Sequence, residues 1–360
     1  MGRDTVSRNR IACRSLGRAG LRISELGLGG AGLGNLYEAV SEETVDATVS
    51  AAWEAGIRYV DTAPYYGFGL SEQRLGRLVR AQAASAEPWV VSTKVGRRLV
   101  PCEQQGLRRE RDGFVDGLPF APVFDYSHDG ILRSVEDSLQ RMGLARVDIL
   151  LVHDIGRMTH GDAQAAQARA FWQGGYAALV RLRDEGTVKA IGLGVNECQV
   201  CVDFIARGDF DCLLLAGRYT LLEQGALTQL LPACAQRGIK LILGGIYNSG
   251  ILASGVLAGG PMRYNYEPAP ADIIRRVARM EHICAAHGVP LAAAALQFVL
   301  VHPQVASVIP GATSTMQVAR NLAYYRTRIP PALWSDLKQD GLVDAAAPVP
   351  AVSMESPHED

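Results

Sequence analysis

The chain has 360 residues, is 48% hydrophobic, and balances 36 Lys and Arg against 37 Asp and Glu for a formal net charge of -1. That is enough apolar material for one large core or two ordinary ones, and it supplies no global field to recruit nucleic acid or an anionic membrane. No signal-peptide run opens the chain and no later segment resembles a charge-free spanning helix, so a cytoplasmic setting is expected.

In chain order, "CRSLGRAGLRIS" reads as a hairpin turning at residues 18–20 and placed to plug the bottom of a barrel. Eight short β-rich runs then alternate with helical patterns: "ISELGLG" (23–29), "IRYVD" (57–61), "WVVSTK" (89–94), "VDILLVH" (147–153), "VKAIGLG" (188–194), "CLLLA" (212–216), "IKLILGG" (239–245) and "VASVIP" (305–310). Amphipathic stretches such as "SEETVDATVSAAWEAG" and "DGILRSVEDSLQRMG" open on Ser or Asp and end at Gly, as helix caps prefer. Eight strand-helix units read as a (β/α)8 TIM-type barrel, with an open doubly wound sheet as the rival. A C-terminal helical extension completes one domain over residues 1–343, with its core at about 14–326.

Two stretches fall outside this rhythm. Residues 96–127 read as a long irregular insertion after the third strand, and residues 344–360, rich in Ala, Pro and acidic residues, as a mobile tail. The seven cysteines are scattered. Cys198 and Cys201 have no second C-x-x-C, so reduced structural thiols and no metal are expected.

Gly27, Gly29 and Gly32 satisfy G-x-G-x-x-G, but "LGNLYEAV" separates them from the next helix. A dinucleotide fingerprint needs the helix to begin inside the glycine run, so these read instead as a loop over the barrel mouth that admits close approach of a ligand.

In a barrel of this kind the C-terminal strand ends line the active site. Asp61, Tyr66, Lys94 and His153 fall at or just after three such ends. A lysine there needs a carboxylate, and Asp61 on the neighbouring strand supplies one. The remaining positive field should lower the pKa of a nearby phenol, letting Tyr66 carry a proton while His153 donates to the reacting oxygen. That combination suits interconversion of alcohol and carbonyl.

The order Asp61, Tyr66 in "YYG", Lys94 in "STKVG" and His153 in "LLVHD" resembles the Asp-Tyr-Lys-His tetrad of the aldo-keto reductase superfamily. "SLQRMGLARVDILLVHD" and "VIPGATSTMQVARN" extend the likeness over most of the chain. The resemblance makes Tyr66, five residues after the aspartate, the acid/base, and Tyr65 a wall of the substrate pocket. It implies a nicotinamide nucleotide across the barrel mouth, contacted by Gly30, Asn196, Gly250, Gly311, Thr313, Gln317 and Asn321.

Two features depart from the family pattern. Ala216 stands where many relatives carry a glutamine for the carboxamide, and "GLGVN" is one residue longer than the common form. Gly311 and Gln317 stand where NADP-specific members place a lysine and an arginine, which favours NAD with NADP possible. Whether Arg320 points inward is left open.

The segments "LGLGGAGLGNLY" and "GGIYNSGILASG" look most like aldose 1-dehydrogenases, which oxidise L-fucose, L-galactose or D-arabinose at C1 to a lactone. They are also similar to pyridoxal 4-dehydrogenase, and general aldehyde reduction is a further alternative. A nicotinamide-binding regulatory subunit is the reading from another class. Specificity is expected from residues 96–127, Tyr65 and residues 259–270, with a small-molecule substrate and an open oligomeric state.

Overall fold

Short aliphatic runs that are apolar on both faces persist as strands only when both faces are covered, and all eight predicted runs do so. This computed structural model describes residues 11–103, 108–259 and 262–350. The strands are β1 (Leu28–Gly29), β2 (Tyr59–Asp61), β3 (Val90–Val95), β4 (Ile149–His153), β5 (Ala190–Val195), β6 (Cys212–Ala216), β7 (Lys240–Gly244) and β8 (Val305–Val308). They lie side by side in sequence order, all parallel.

The edges then meet. Leu26 bridges Val308 and Gly29 bridges Gly311, while the Gly27 N–H donates to the Val308 carbonyl at 2.8 Å. Closure rules out the open sheet and makes a (β/α)8 TIM-type barrel.

The helices that bear on the site are α1 (Glu42–Glu54), α2 (Leu70–Ala81), α3 (His128–Met142), α4 (Cys198–Arg207), α5 (Thr315–Arg326) and α6 (Pro331–Gln339). The Ser41 hydroxyl accepts from the Thr44 N–H at the start of α1, and Ser127 accepts from Gly130 at the start of α3. Gly143, at φ 60°, ends α3 in the left-handed conformation that a side chain would disfavour.

Cys13–Leu16 pairs antiparallel with Leu21–Ser24, as the hairpin pattern predicts. Its Leu16, Leu21 and Ile23 are buried in one cluster with Tyr59, Ile149 and Ile242 from the barrel interior. The hairpin therefore closes the bottom of the barrel, each of those side chains contributing on the order of 1.5–3 kcal/mol.

The insertion is not irregular. Arg97–Pro101 pairs with Phe120–Phe124, and Glu110–Arg111 pairs with Phe114–Val115. Asp112 and Gly113 turn the second hairpin at φ 50° and 79°, so "DG" was a legible turn signal that the charged residues before it and the length of the insertion obscured.

At the other end, Val343 and Ala347 are buried, the Lys338 ammonium donates to the Ala345 and Ala347 carbonyls, and the Asp344 N–H donates to Gln224. Residues 344–350, the start of the stretch expected to be mobile, thus pack against α6; residues 351–360 lie outside the described residues. Among the described residues no single helix is long and apolar enough to cross a membrane. All seven cysteines are free thiols.

Candidate active site

Strand register sets the site. Asp61 lies opposite Ser92, Lys94 opposite Leu151 and His153 opposite Gly194. Two residues separate Ser92 from Lys94 and Leu151 from His153, so the period of two sends Asp61, Lys94 and His153 to the same inner face. Gly194 leaves room for Lys94 there, because a Cβ on it would lie 3.2 Å from Lys94 Cε, a tight contact.

Lys94 Nζ donates to Asp61 Oδ2 at 2.7 Å and to the Thr62 carbonyl at 2.9 Å, while Ser92 Oγ donates to Asp61 Oδ1 at 2.7 Å. Burial alone would push the Lys94 pKa down. Asp61 and Tyr66 outweigh it, and the ammonium ends above its ordinary value and stays charged.

Tyr66 begins a tight turn in the loop after β2, where Gly67, at φ 64°, packs its backbone on that of Gly34 in the loop after β1. Lys94 Nζ lies 4.6 Å from the centre of the Tyr66 ring, and the His153 ring lies 6.1 Å from it, edge to face. The expected lowering of the phenol pKa is not found. Burial raises it above the ordinary value and exceeds the opposing effect of Lys94, with Asp61 adding to the rise. Lys94 does lower it, but Asp61, 2.7 Å from the ammonium, offsets part of that field and the loss of water outweighs the rest.

His153 is neutral. Burial, then Lys94 and Arg97, push its pKa well below the usual imidazole value. Among the described residues its buried Nδ1 has no partner, whereas Nε2 lies 3.4 Å from Asp154 Oδ2. A carboxylate only accepts, so Nε2 is assigned as the nitrogen that carries the proton.

Above the barrel opens a cavity of about 720 Å³, lined by Asp61 and Tyr66 and by the loops after β1, β5, β6, β7 and β8. Gly30, Asn196, Gly250, Gly311, Thr313, Gln317 and Asn321 all line it, as do Ala216 and the exposed Arg320. The size suits an extended cofactor, and the wall mixes amide side chains and arginines with open backbone at Gly250 and Gly311, where an added Cβ would meet nothing within 4 Å. These residues fit a dinucleotide.

The glycines in and around β1 have a packing reason beside the approach of a ligand expected of them. A Cβ on Gly27 would meet Tyr59 and Ile309, and one on Gly29 or Gly30 would meet the backbone of Ile309 or Asp61. They are glycines because strands β1, β2 and β8 crowd there, although Gly29, Gly30 and Gly32 also face the cavity.

Residues 25–339 match the Aldo/keto reductase family. The chain belongs to that family. It is accordingly a nicotinamide-dependent oxidoreductase acting on CH–OH and carbonyl groups. It is 45% identical to the pyridoxal 4-dehydrogenase of Microbacterium luteolum over 92% of this chain and 97% of that one. To the D-threo-aldose 1-dehydrogenase of a Pseudomonas species it is 41% identical, over 90% and 96% of the two chains. In three dimensions it resembles the aldo-keto reductase AKR11C1 from Bacillus halodurans in its holo form, with a TM-score of 0.71 at 24% identity over 94% of this chain and 98% of that one, a likeness of fold.

Tyr65 lies away from the cofactor cavity, on the His153 side. Its ring is 6.3 Å from His153, edge to face with Phe68 and Phe114, and capped by the Arg97 guanidinium at 3.1 Å. Burial pushes its hydroxyl up to about 12.

Several polar residues here escaped the sequence reading. Arg218 lines the cavity and donates to the Asn196 carbonyl at 2.8 Å and to Asn265 at 2.8 Å. Glu38 also lines it and accepts from the Thr313 hydroxyl at 3.2 Å. Arg218 is two residues past the end of β6 and Asp154 one past β4, so the rule that found Lys94 reaches both. Glu38, far from any strand end in sequence, carried no such signal.

Proposed function

We propose that the enzyme oxidises cyclic hemiacetals to lactones, with Tyr66 exchanging the proton of the reacting hydroxyl. The observation that carries this is the Asp61–Lys94 pair closed at 2.7 Å beneath Tyr66, beside a neutral His153. An aldose and pyridoxal each close to a ring bearing a hemiacetal hydroxyl, so the two relatives' names describe one reaction on two rings. L-fucose, L-galactose and D-arabinose are the candidate sugars.

A bound nicotinamide supplies the hydride acceptor for the C1–H bond. The hydroxyl proton passes to Tyr66 Oη as the C=O of the lactone forms, and His153 Nε2 donates to the same oxygen. Lys94 favours the phenolate that accepts the proton. Run in reverse, Tyr66 is the acid, which its raised pKa suits at neutral pH.

NAD is favoured over NADP. A 2'-phosphate needs fixed positive charge. Gly311 and Gln317 offer none, Glu38 adds a carboxylate at Thr313, and Arg218 is committed to Asn196 and Asn265. Arg320 remains as the cation for that role among the described lining residues. The free thiols suit a cytosolic setting.

The test is initial rates with the three sugars and pyridoxal, each with NAD and with NADP, and identification of the product by mass and infrared carbonyl stretch. Lactone formation with NAD ahead of NADP is expected. Turnover restricted to aldehydes that cannot cyclise would overturn the proposal, and nucleotide binding without turnover on any carbonyl or alcohol would favour a regulatory subunit.

A further inference from the structure

Beside His153 lies a charged pair that the reaction above does not use. Asp154 follows His153 at the end of β4 with φ 51°, its N–H donating to the Gly194 carbonyl at 3.0 Å. Asp154 Oδ2 accepts from Arg97 Nη1 at 3.0 Å and is also the oxygen 3.4 Å from His153 Nε2. Both contacts fall on one oxygen. No side-chain donor among the described residues reaches Oδ1.

Arg97 is held flat between Tyr65, at 3.1 Å, and Phe124, at 5.1 Å, so its guanidinium fixes the carboxylate with little freedom left to lose on binding. The Asp154 and Arg97 side chains keep 18% and 12% exposure. The pair is therefore enclosed but not sealed off, although neither side chain lines the cofactor cavity itself.

An arginine paired with a carboxylate frequently engages both oxygens in a fork. This one keeps an acceptor open next to the nitrogen that would donate to the reacting oxygen. An oxygen bonded to His153 Nε2 sits about 3 Å from it. The hydroxyl on the neighbouring carbon of a polyhydroxylated substrate is gauche to that oxygen and comes within reach of Asp154.

We infer that Asp154, braced by Arg97, determines specificity by accepting a hydrogen bond from the hydroxyl on the carbon next to the reacting carbon. This rests on the hemiacetal reading and names what the site selects within that class. In an aldose the group is the 2-hydroxyl; in pyridoxal the adjacent ring carbon bears no hydroxyl, so the inference applies to sugars. A site built to hydrogen-bond a hydroxyl discriminates against the analogue that lacks it.

The test compares kcat/KM for L-fucose and 2-deoxy-L-fucose in the wild type and in Asp154→Asn, with thermal midpoint and nucleotide Kd from protein fluorescence measured alongside. The wild type should prefer the 2-hydroxy sugar by roughly 10- to 100-fold. In Asp154→Asn that ratio should fall to within about threefold of one, mainly through a higher KM for L-fucose. A wild-type ratio near one overturns the inference without any variant. So does an equal loss on both sugars in Asp154→Asn, which would make Asp154 only a positioning residue for His153. If neither sugar is oxidised, the aldose part of the proposed function fails, and the inference about the 2-hydroxyl falls with it.

Discussion

Replacing Asp61 by Asn isolates the charge that keeps Lys94 in the barrel. The two side chains are 2% and 1% exposed, and the substitution would leave Lys94 with the Thr62 carbonyl and no counter-charge. Breaking one side of a buried pair costs about 3–5 kcal/mol. The protein can escape part of this by releasing the Lys94 proton, which from an ordinary pKa near 10.4 costs about 4.6 kcal/mol at pH 7 and about 1.9 kcal/mol at pH 9. For a chain of this length the unfolding entropy is roughly 0.76 kcal/mol per degree, so the loss at pH 7 corresponds to a midpoint lower by about 4–7 °C.

The sign with pH follows from the same balance. In the variant Lys94 has a folded pKa below its unfolded one, so the unfolded chain binds more protons and the variant gains stability from pH 7 to 9. In the wild type the folded pKa lies above the unfolded one, so that contribution stays complete over this range and is lost only at higher pH. Thermal unfolding followed by circular dichroism at both pH values, with Asp61→Asn/Lys94→Met as the uncharged control, measures each quantity. The control should recover much of the loss. A variant within about 1 °C of wild type, or one whose deficit is the same at both pH values, would refute this account of the pair.

Tyr66→Phe removes the proton carrier but little binding surface, so kcat should fall by roughly 10²- to 10⁴-fold while nucleotide Kd stays within about threefold; near-normal kcat would remove Tyr66 from the chemistry. Oxidation should climb with pH through the neutral range and beyond pH 8, because Tyr66 must ionise from a raised pKa. The profile should also lack an inflection near the ordinary imidazole pKa, since His153 is already neutral there. A rate that is flat from pH 7 upward would mean that a phenolate exists at neutral pH.

Much of the molecule was readable before folding. The eight strands and the hairpin are written in local alternation and turn residues, and strand ends locate Asp61, Lys94 and His153 because a barrel puts such ends at its mouth. Their alignment on one face came from the strand register. Gly311 and Gln317 stood out because the resemblance marks those positions as cationic in NADP-specific relatives, and residue type shows that the charge is missing here.

Other features depended on approach between segments far apart in the chain. Glu38 meets Thr313 across 275 positions, and Arg97 meets Asp154 across 57, only once the barrel closes. The hairpins in the insertion packed an aromatic wall of Phe114 against Tyr65 and Tyr66, which no local pattern in residues 96–127 revealed. The direction of the Tyr66 shift belongs to the same class. Sequence supplies the lysine and the carboxylate, but the pKa is set by the difference between their opposed fields and the loss of water, and that difference exists only after packing fixes how deep each group lies.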